Sequence, residues 1–444
     1  MLWFSASDPL LAREMAVLLP VHSKSLRPLL LALLPLALLF CLIACGGSNG
    51  GSALGGGTPT TIAYSSYRAL DGSDAPNSDQ PDGLTPVSNI WTIESDGTGS
   101  VAITQLSGSA SGADSLFPQW SPDGSKIVYS SGRALDGSDN AAMGGAINIW
   151  VTNADGSGAT PLTQLTVYAP CWQPVWSPDG NKIAYYSWRA LNGSDTNPGD
   201  NSPRNIWVMN ADGSNDIPVT QLTAGASDSY FPQWSPDSKI LAFYSSRALN
   251  GSNGANGQDA TQNIWVVNSD GSGAAPVTQL TGQLGGFQGA YWTEDGSTLL
   301  FGDGANIWTA HPDGSGLTET LIGGNAFNFP TAWSSNDSTI LFNSTEEPDG
   351  SHNSQQSSNV WIMNADGSHQ TPLTKLSVAA AAESLWSPDG TRIAYVSVGA
   401  FDGSDNLDAN PAALNVWLMK ADVSGAVPLT KLTKADSNGP VWKP

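Results

Sequence analysis

Short stretches in which apolar residues alternate with small or polar ones recur along most of the chain, each bounded by Gly, Pro, Asp or Asn. The fullest unit runs from Gln173 to Thr223. It begins Gln-Pro-Val-Trp-Ser-Pro-Asp-Gly, continues as Lys182-Ile-Ala-Tyr-Tyr-Ser187 and as Asn205-Ile-Trp-Val-Met-Asn-Ala-Asp-Gly213, and closes with Pro218-Val-Thr-Gln-Leu-Thr223. Ile183 and Tyr185 alternate with smaller or polar neighbours, and Ile206 and Val208 do the same, which is the period of a β-strand. Pro-Asp-Gly and Ala-Asp-Gly are turn sequences whose glycine accepts a positive φ. Each unit therefore reads as a four-stranded antiparallel blade.

The unit is repeated. Tryptophans ending the first strand stand at Trp120, Trp176, Trp234, Trp292, Trp333, Trp386 and Trp442, separated by 56, 58, 58, 41, 53 and 56 residues. A second series, Asn-Ile-Trp or Asn-Val-Trp, runs in step at Trp91, Trp150, Trp207, Trp265, Trp308, Trp361 and Trp417. The two series use fourteen of the seventeen tryptophans, so a repeating core places them. A lone blade cannot bury both apolar faces, and seven stacked, twisted blades close into a ring without long free edges. The expected fold is all-β, a seven-bladed β-propeller over residues 61–444. The first unit opens at its second strand, Thr61-Ile-Ala-Tyr-Ser-Ser66, and Gly439-Pro-Val-Trp-Lys-Pro444 supplies the missing strand, so the N- and C-terminal strands are expected to pair and close the ring.

The repeated Pro-x-Trp-Ser-Pro-Asp-Gly-x-x-Ile-Ala-Tyr, followed by a Trp-centred strand and Asp-Gly, resembles the TolB-type, WD-repeat-like propeller. The resemblance covers residues 61–444 in seven in-phase copies. It implies a fold and a tendency toward protein partners, and it implies no chemistry. The chain departs from TolB itself: seven units where TolB has six, a lipid-type signal, and no α/β domain expected ahead of the propeller.

Lys24 and Arg27 precede an apolar run from Leu29 to Ala44, after which the composition changes to Gly and Ser. This reads as an export signal over residues 1–44, with Met15 as an alternative start. The run falls short of the roughly 20 residues of a spanning helix, and Pro35 interrupts it. Leu42-Ile43-Ala44-Cys45 resembles a bacterial lipobox, which implies lipidation of Cys45 and a membrane contact through that lipid alone. Residues 45–60 read as a Gly/Ser-rich tether. The expected location is the periplasmic or extracellular face of a membrane.

Removing residues 1–44 takes away three basic and two acidic side chains, leaving 14 against 37 and a net charge of −23. Nucleic acid is thereby excluded as a partner of the body. Cys41 leaves with the signal and Cys45 is acylated, so Cys171 stands alone and no intrachain disulfide forms.

The spacing surplus over the shortest repeat falls between the second and third strands, on the rim shared with the blade-to-blade connections. Long loops on one rim are where function is usually housed. They begin alike, as Arg68-Ala-Leu-Asp-Gly-Ser-Asp74, Arg133-Ala-Leu-Asp-Gly-Ser-Asp139, Arg189-Ala-Leu-Asn-Gly-Ser-Asp195 and Arg247-Ala-Leu-Asn-Gly-Ser-Asn253, with Ala400-Phe-Asp-Gly-Ser-Asp405 lacking the arginine. Two readings stand open. In one, each guanidinium clasps carbonyls or acidic residues of its own or the next loop. In the other, the oxygens of Asp71, Asp74, Asp136, Asp139, Asp195, Asp402 and Asp405 bind a structural Ca²⁺, although the arginine repels a cation and the spacing lacks the Asp-x-Asp-x-Asp-Gly order. No other cofactor is expected.

Aromatics stand near the same mouth of the channel: Phe117, Trp172, Tyr230, Phe231, Phe287 and Phe329, with Trp188 in a neighbouring loop. They either stack on a sugar or peptide or plug the gaps between blades. The fifth unit has only Gly302-Asp-Gly-Ala305 in place of the long loop, which leaves a notch. No catalytic site is legible. Gly46-Gly-Ser-Asn-Gly50 matches a nucleophile-elbow pattern within the tether, where no strand and helix hold it. His22, His311, His352 and His369 are too dispersed for a three-histidine metal site, and propeller lyases resembling this repeat use one. The sequence thus points to a monomeric scaffold binding another envelope protein. The alternatives are a carbohydrate- or peptide-binding surface lipoprotein and, last, a glycan-active enzyme using rim carboxylates.

Overall fold

A computed structural model of the chain describes residues 60–444 except 75–86, 108–112, 139–141, 143–144, 195–201, 224–226, 253–260, 281–287, 322–325, 347–356, 378, 402–412 and 423–424. The proposed signal, Cys45 and the tether lie outside the described residues. Within them, 28 strands form seven four-stranded antiparallel sheets. Blade 1 is built from both ends of the chain: Ser437–Trp442 is its innermost strand, followed outward by Thr61–Ser66, Asn89–Glu94 and Val101–Ala102. Blades 2 to 7 follow in chain order, with innermost strands Ser115–Trp120, Cys171–Trp176, Ser229–Trp234, Gln288–Trp292, Asn328–Trp333 and Ala381–Trp386.

Strand alternation gives each blade two unlike faces. In blade 3, Tyr185 lies opposite Trp207 and Ile183 opposite Met209, so four bulky side chains share one face. That face packs on Val128, Ile149 and Leu165 of blade 2. The pattern repeats around the ring: Ile127, Tyr129 and Trp150 of blade 2 meet Ala63, Ile90 and Ile103 of blade 1, and Ile393, Tyr395, Trp417 and Met419 of blade 7 meet Leu341, Val360 and Leu373 of blade 6. A large face thus seats on the smaller face of the preceding blade, and each buried aliphatic side chain contributes about 1.5–3 kcal/mol.

The asparagine of the Asn-Ile-Trp strand locks the outer segment onto the blade. Asn205 Oδ1 accepts from Thr220 Oγ1 (2.9 Å) and from the Leu222 amide (2.8 Å), while Nδ2 donates to Leu222 O (3.2 Å). Asn89, Asn148, Asn263, Asn359 and Asn415 repeat this clasp. The Thr-x-Leu after the outermost strand of every blade but the fifth is therefore a structural partner.

Most innermost strands carry a bulge at their third residue. Phe117, Gln173, Phe231 and Glu383 take φ of 58°, 50°, 57° and 51° there, where Gly439 has 60°. A left-handed residue costs roughly 1–2 kcal/mol in an L-amino acid. Its repetition at one position marks a device that bends the strand where seven strands crowd the axis.

Candidate functional site

The long loops follow the second strands, and the arginine that opens four of them stacks on a tryptophan of the third strand. The guanidinium carbons of Arg68, Arg133, Arg189 and Arg247 lie 3.8, 5.0, 3.7 and 4.8 Å from the ring centroids of Trp91, Trp150, Trp207 and Trp265. The hydrogen-bond partner follows from the residue ahead of each outermost strand. Ser100 and Asp216 receive Nη2 of Arg68 and Arg189. Ala159 and Ala274 offer no side-chain acceptor, and Arg133 and Arg247 turn back to the carbonyls of Gly137 and Gly251 in their own loops. Blade 5 has no arginine; there Asp303 accepts from Trp308 Nε1 at 2.9 Å and from the Ala305 and Asn306 amides.

Asp216 also takes the Tyr185 hydroxyl at 2.9 and 2.8 Å on its two oxygens. Removing its charge leaves the buried Arg189 without a counter-ion. Asp216→Asn is expected to destabilise the fold by about 3 kcal/mol, read in denaturant melts, with little loss predicted if the pair is solvated.

Two of the acidic candidates are turned to the backbone of their own loops. Asp71 Oδ1 accepts the Ser73 amide and Asp136 Oδ1 the Ser138 amide, both at 2.8 Å. The Ser73 and Ser138 contacts hold both carboxyls below the usual range. Asp74 reaches the far end of the chain, accepting the amides of Thr433 (2.7 Å) and Lys434 (3.0 Å). Asp139, Asp195, Asp402 and Asp405 lie outside the described residues. No group of three or more His, Cys, Asp or Glu gathers as metal ligands would among the described residues. Millimolar calcium is expected to leave the melting midpoint unmoved, and a rise would show that the rim binds the ion.

The aromatic candidates fall into two groups. Phe117 meets Trp172 edge-on at 5.5 Å, and Tyr230 and Phe231 meet at 5.0 Å, with Tyr186 within 6.4 Å of both. Phe117, Trp172, Tyr230 and Phe329 are buried, and the first three meet rings of a neighbouring blade. Trp188 and Phe231 are half-buried on the loop face. Phe329 stands apart, stacked on the exposed Phe327. Phe287 lies outside the described residues. Arg204, which the sequence reading passed over, has its guanidinium 4.7 Å from the Trp188 ring and 5.9 Å from that of Tyr230, and pairs with Asp228 at 3.3 Å. Its only sequence signal is a position directly before Asn205.

Cys171 occupies the place that serine takes in blades 1, 2 and 4, with Sγ 3.6 Å from Ser187 Oγ. Burial pushes its thiol up to about 11, so it is an inert core residue.

The opposite, short-turn face holds a feature that the sequence reading did not separate from the core. The seven tryptophans ending the innermost strands converge around the axis and line a funnel of about 200 Å³, with Pro122, Pro178, Pro236 and Pro388 from the turns that follow.

No family model matches the chain. It is 31% identical over 126 residues to an uncharacterised protein of Agrobacterium fabrum, across 28% of this chain and 38% of that one. It is 26% identical over 147 residues to an uncharacterised peptidase of Bacillus subtilis, across 32% and 19%. The matches thus span well under half the length of these curated relatives. Among solved structures it is similar to TolB from Acinetobacter baumannii (16% identity, 87% of this chain and 67% of that one, TM-score 0.46) and to a prolyl endopeptidase (14%, 79% and 46%, TM-score 0.53). At these identities the likeness is one of fold alone: the chain is a seven-bladed β-propeller.

Proposed function

We propose that this chain is an exported, lipid-anchored propeller that binds another envelope protein through its long-loop face and performs no chemistry of its own. The observation that carries this reading is the group formed by Trp188, Arg204, Tyr230 and Phe231. Tryptophan, tyrosine and arginine are the residues that most often dominate binding energy at protein interfaces, and here they are stacked before any partner arrives. Two half-buried rings are left on the surface for a partner to cover.

A photo-crosslinking amino acid at position 188 is expected to trap one discrete partner on intact cells, whereas the same group at the exposed outer position 101 is not. Trp188→Ala with Arg204→Ala should abolish the adduct at a neighbouring rim position. Absence of any adduct dependent on these two side chains overturns the reading. Anchoring is tested separately: Cys45→Ser is expected to abolish labelling by a fatty-acid analogue and to release the chain from membranes, and a variant that stays lipidated refutes the assignment of Cys45.

A further inference from the structure

The funnel on the short-turn face has walls of an uncommon kind. Nε1 of Trp234, Trp292 and Trp333 donates at 3.2 Å to the carbonyls of Val175, Gln233 and Tyr291 in the preceding blade. These three N–H edges are thereby turned to the neighbouring strand, and Nε1 of Trp120, Trp176, Trp386 and Trp442 is buried without a hydrogen-bond partner, so the funnel meets indole carbon. Trp176, Trp292, Trp333 and Trp386 are only half-buried. The π-face of an indole carries the negative end of its quadrupole and attracts cations more strongly than any other side-chain ring.

Glu294 and Asp337 line the funnel beside the tryptophans, and Asp123, Asp179, Asp237, Asp295 and Asp389 stand in the turns that follow the innermost strands. The Ser121 and Ser125 contacts hold Asp123 down at about 2, and the partners of Asp295 lower it in the same way, so both stay ionised. Asp337 goes the other way. Burial and then the charges of Asp295 and Glu294 push it above the usual range. Lys239 pairs with Asp237 at 3.0 Å and offsets that charge, while Lys182 and Arg392 reach outward to Ser269 and Ser95. One cation of the chain already uses a ring of the series, since Lys443 Nζ lies 5.2 Å from the Trp120 centroid.

We propose that the funnel binds a small organic cation of the quaternary ammonium class, free in solution. Its methyl groups leave water for indole and proline carbon, its charge faces the rings, and the acidic collar concentrates it. Such a head group forms no hydrogen bonds, which suits a wall whose polar edges are turned away. The site lies on the face opposite the proposed protein-docking surface and is independent of it.

The test is titration of the full chain in detergent with choline, followed by tryptophan fluorescence and calorimetry. The comparison ligands are 3,3-dimethylbutan-1-ol, which is the uncharged carbon isostere of choline, and N-acetyl-lysine amide. Choline is expected to saturate the signal, with the isostere about tenfold weaker. Trp333→Leu with Trp386→Leu should weaken choline about tenfold. Asp295→Asn with Asp389→Asn keeps the turn acceptors and should weaken it about threefold, which keeps the test intact if the tryptophan variant does not fold. An isostere that binds as well as choline overturns the proposal, since the funnel is then merely apolar. A lysine amide that binds where choline does not, or the lack of any saturable signal, overturns it equally.

Discussion

Removal of residues 437–444 will abolish cooperative melting of the propeller. The strand they form is buried along its whole length, with Val441 in the joint between blades 1 and 2 and Trp442 in the joint between blades 7 and 1. Its ladder on Thr61–Ser66 pairs Ile62 with Trp442, Ala63 with Val441, Ser65 with Asn438 and Ser66 with Ser437. The Lys443 amide adds a bond to Thr61 O at 2.8 Å, and Ser437 Oγ one to Ser66 Oγ at 3.0 Å. Re-exposing the two apolar side chains costs about 3–6 kcal/mol, and the lost hydrogen bonds cost roughly 1 kcal/mol each. Together these rival the whole net stability of an ordinary domain, about 5–15 kcal/mol. A deletion variant that melts in one transition at the parent's midpoint would show that closure contributes nothing.

The second large effect concerns Glu383, which sits at the bulge of blade 7's innermost strand. Its Oε2 accepts the Gly439 amide at 2.8 Å. Burial raises its pKa from 4.5 to about 8, opposed only by that amide bond. The folded chain therefore binds a proton that the unfolded chain releases across this interval. Stability is full below the ordinary carboxylate pKa, falls as pH rises toward about 8, and falls no further above it. Over that span the loss amounts to roughly 4–5 kcal/mol. Glu383→Gln keeps the acceptor for Gly439 and carries no charge. It is expected to raise the melting midpoint on the order of 5 °C at pH 8 and to leave it unchanged near pH 4. Equal midpoints for the two proteins at pH 8 would mean that the carboxylate is solvated in the folded ring.

Much of this architecture is written in the tryptophan spacing, because a strand that must bury one bulky face on its neighbour repeats its bulk at fixed intervals. The termini were equally legible, since Ile62-Ala-Tyr64 repeats the second strands at Ile183-Ala-Tyr185 and Ile393-Ala-Tyr395. What could not be read is how one residue type divides its work. The Trp176 and Trp207 series look alike in sequence, yet Trp207 is fully buried while Trp176 keeps part of its ring for the funnel. The difference arises from distance to the axis, which a linear pattern does not carry. The arginines show the same limit: Arg68 and Arg133 begin identical loops, and only Ser100 against Ala159, more than twenty residues away, decides which partner each takes. The bulges left a faint trace in Pro118, Pro174, Pro232 and Pro440, one residue after the bent position.

The large-on-small joint described for blades 2 and 3 has a direction, and the joints of blades 1 and 2, 6 and 7, and 7 and 1 share it, with a bulky side facing one way around the ring and a smaller side the other. Such a contact is heterologous, and it ends only when the circle is complete. A ring held open would present a free bulky face at one end and its complement at the other, and copies would join head to tail without a natural stopping point. The paired termini therefore do more than stabilise one molecule: they keep the chain from becoming the monomer of a filament.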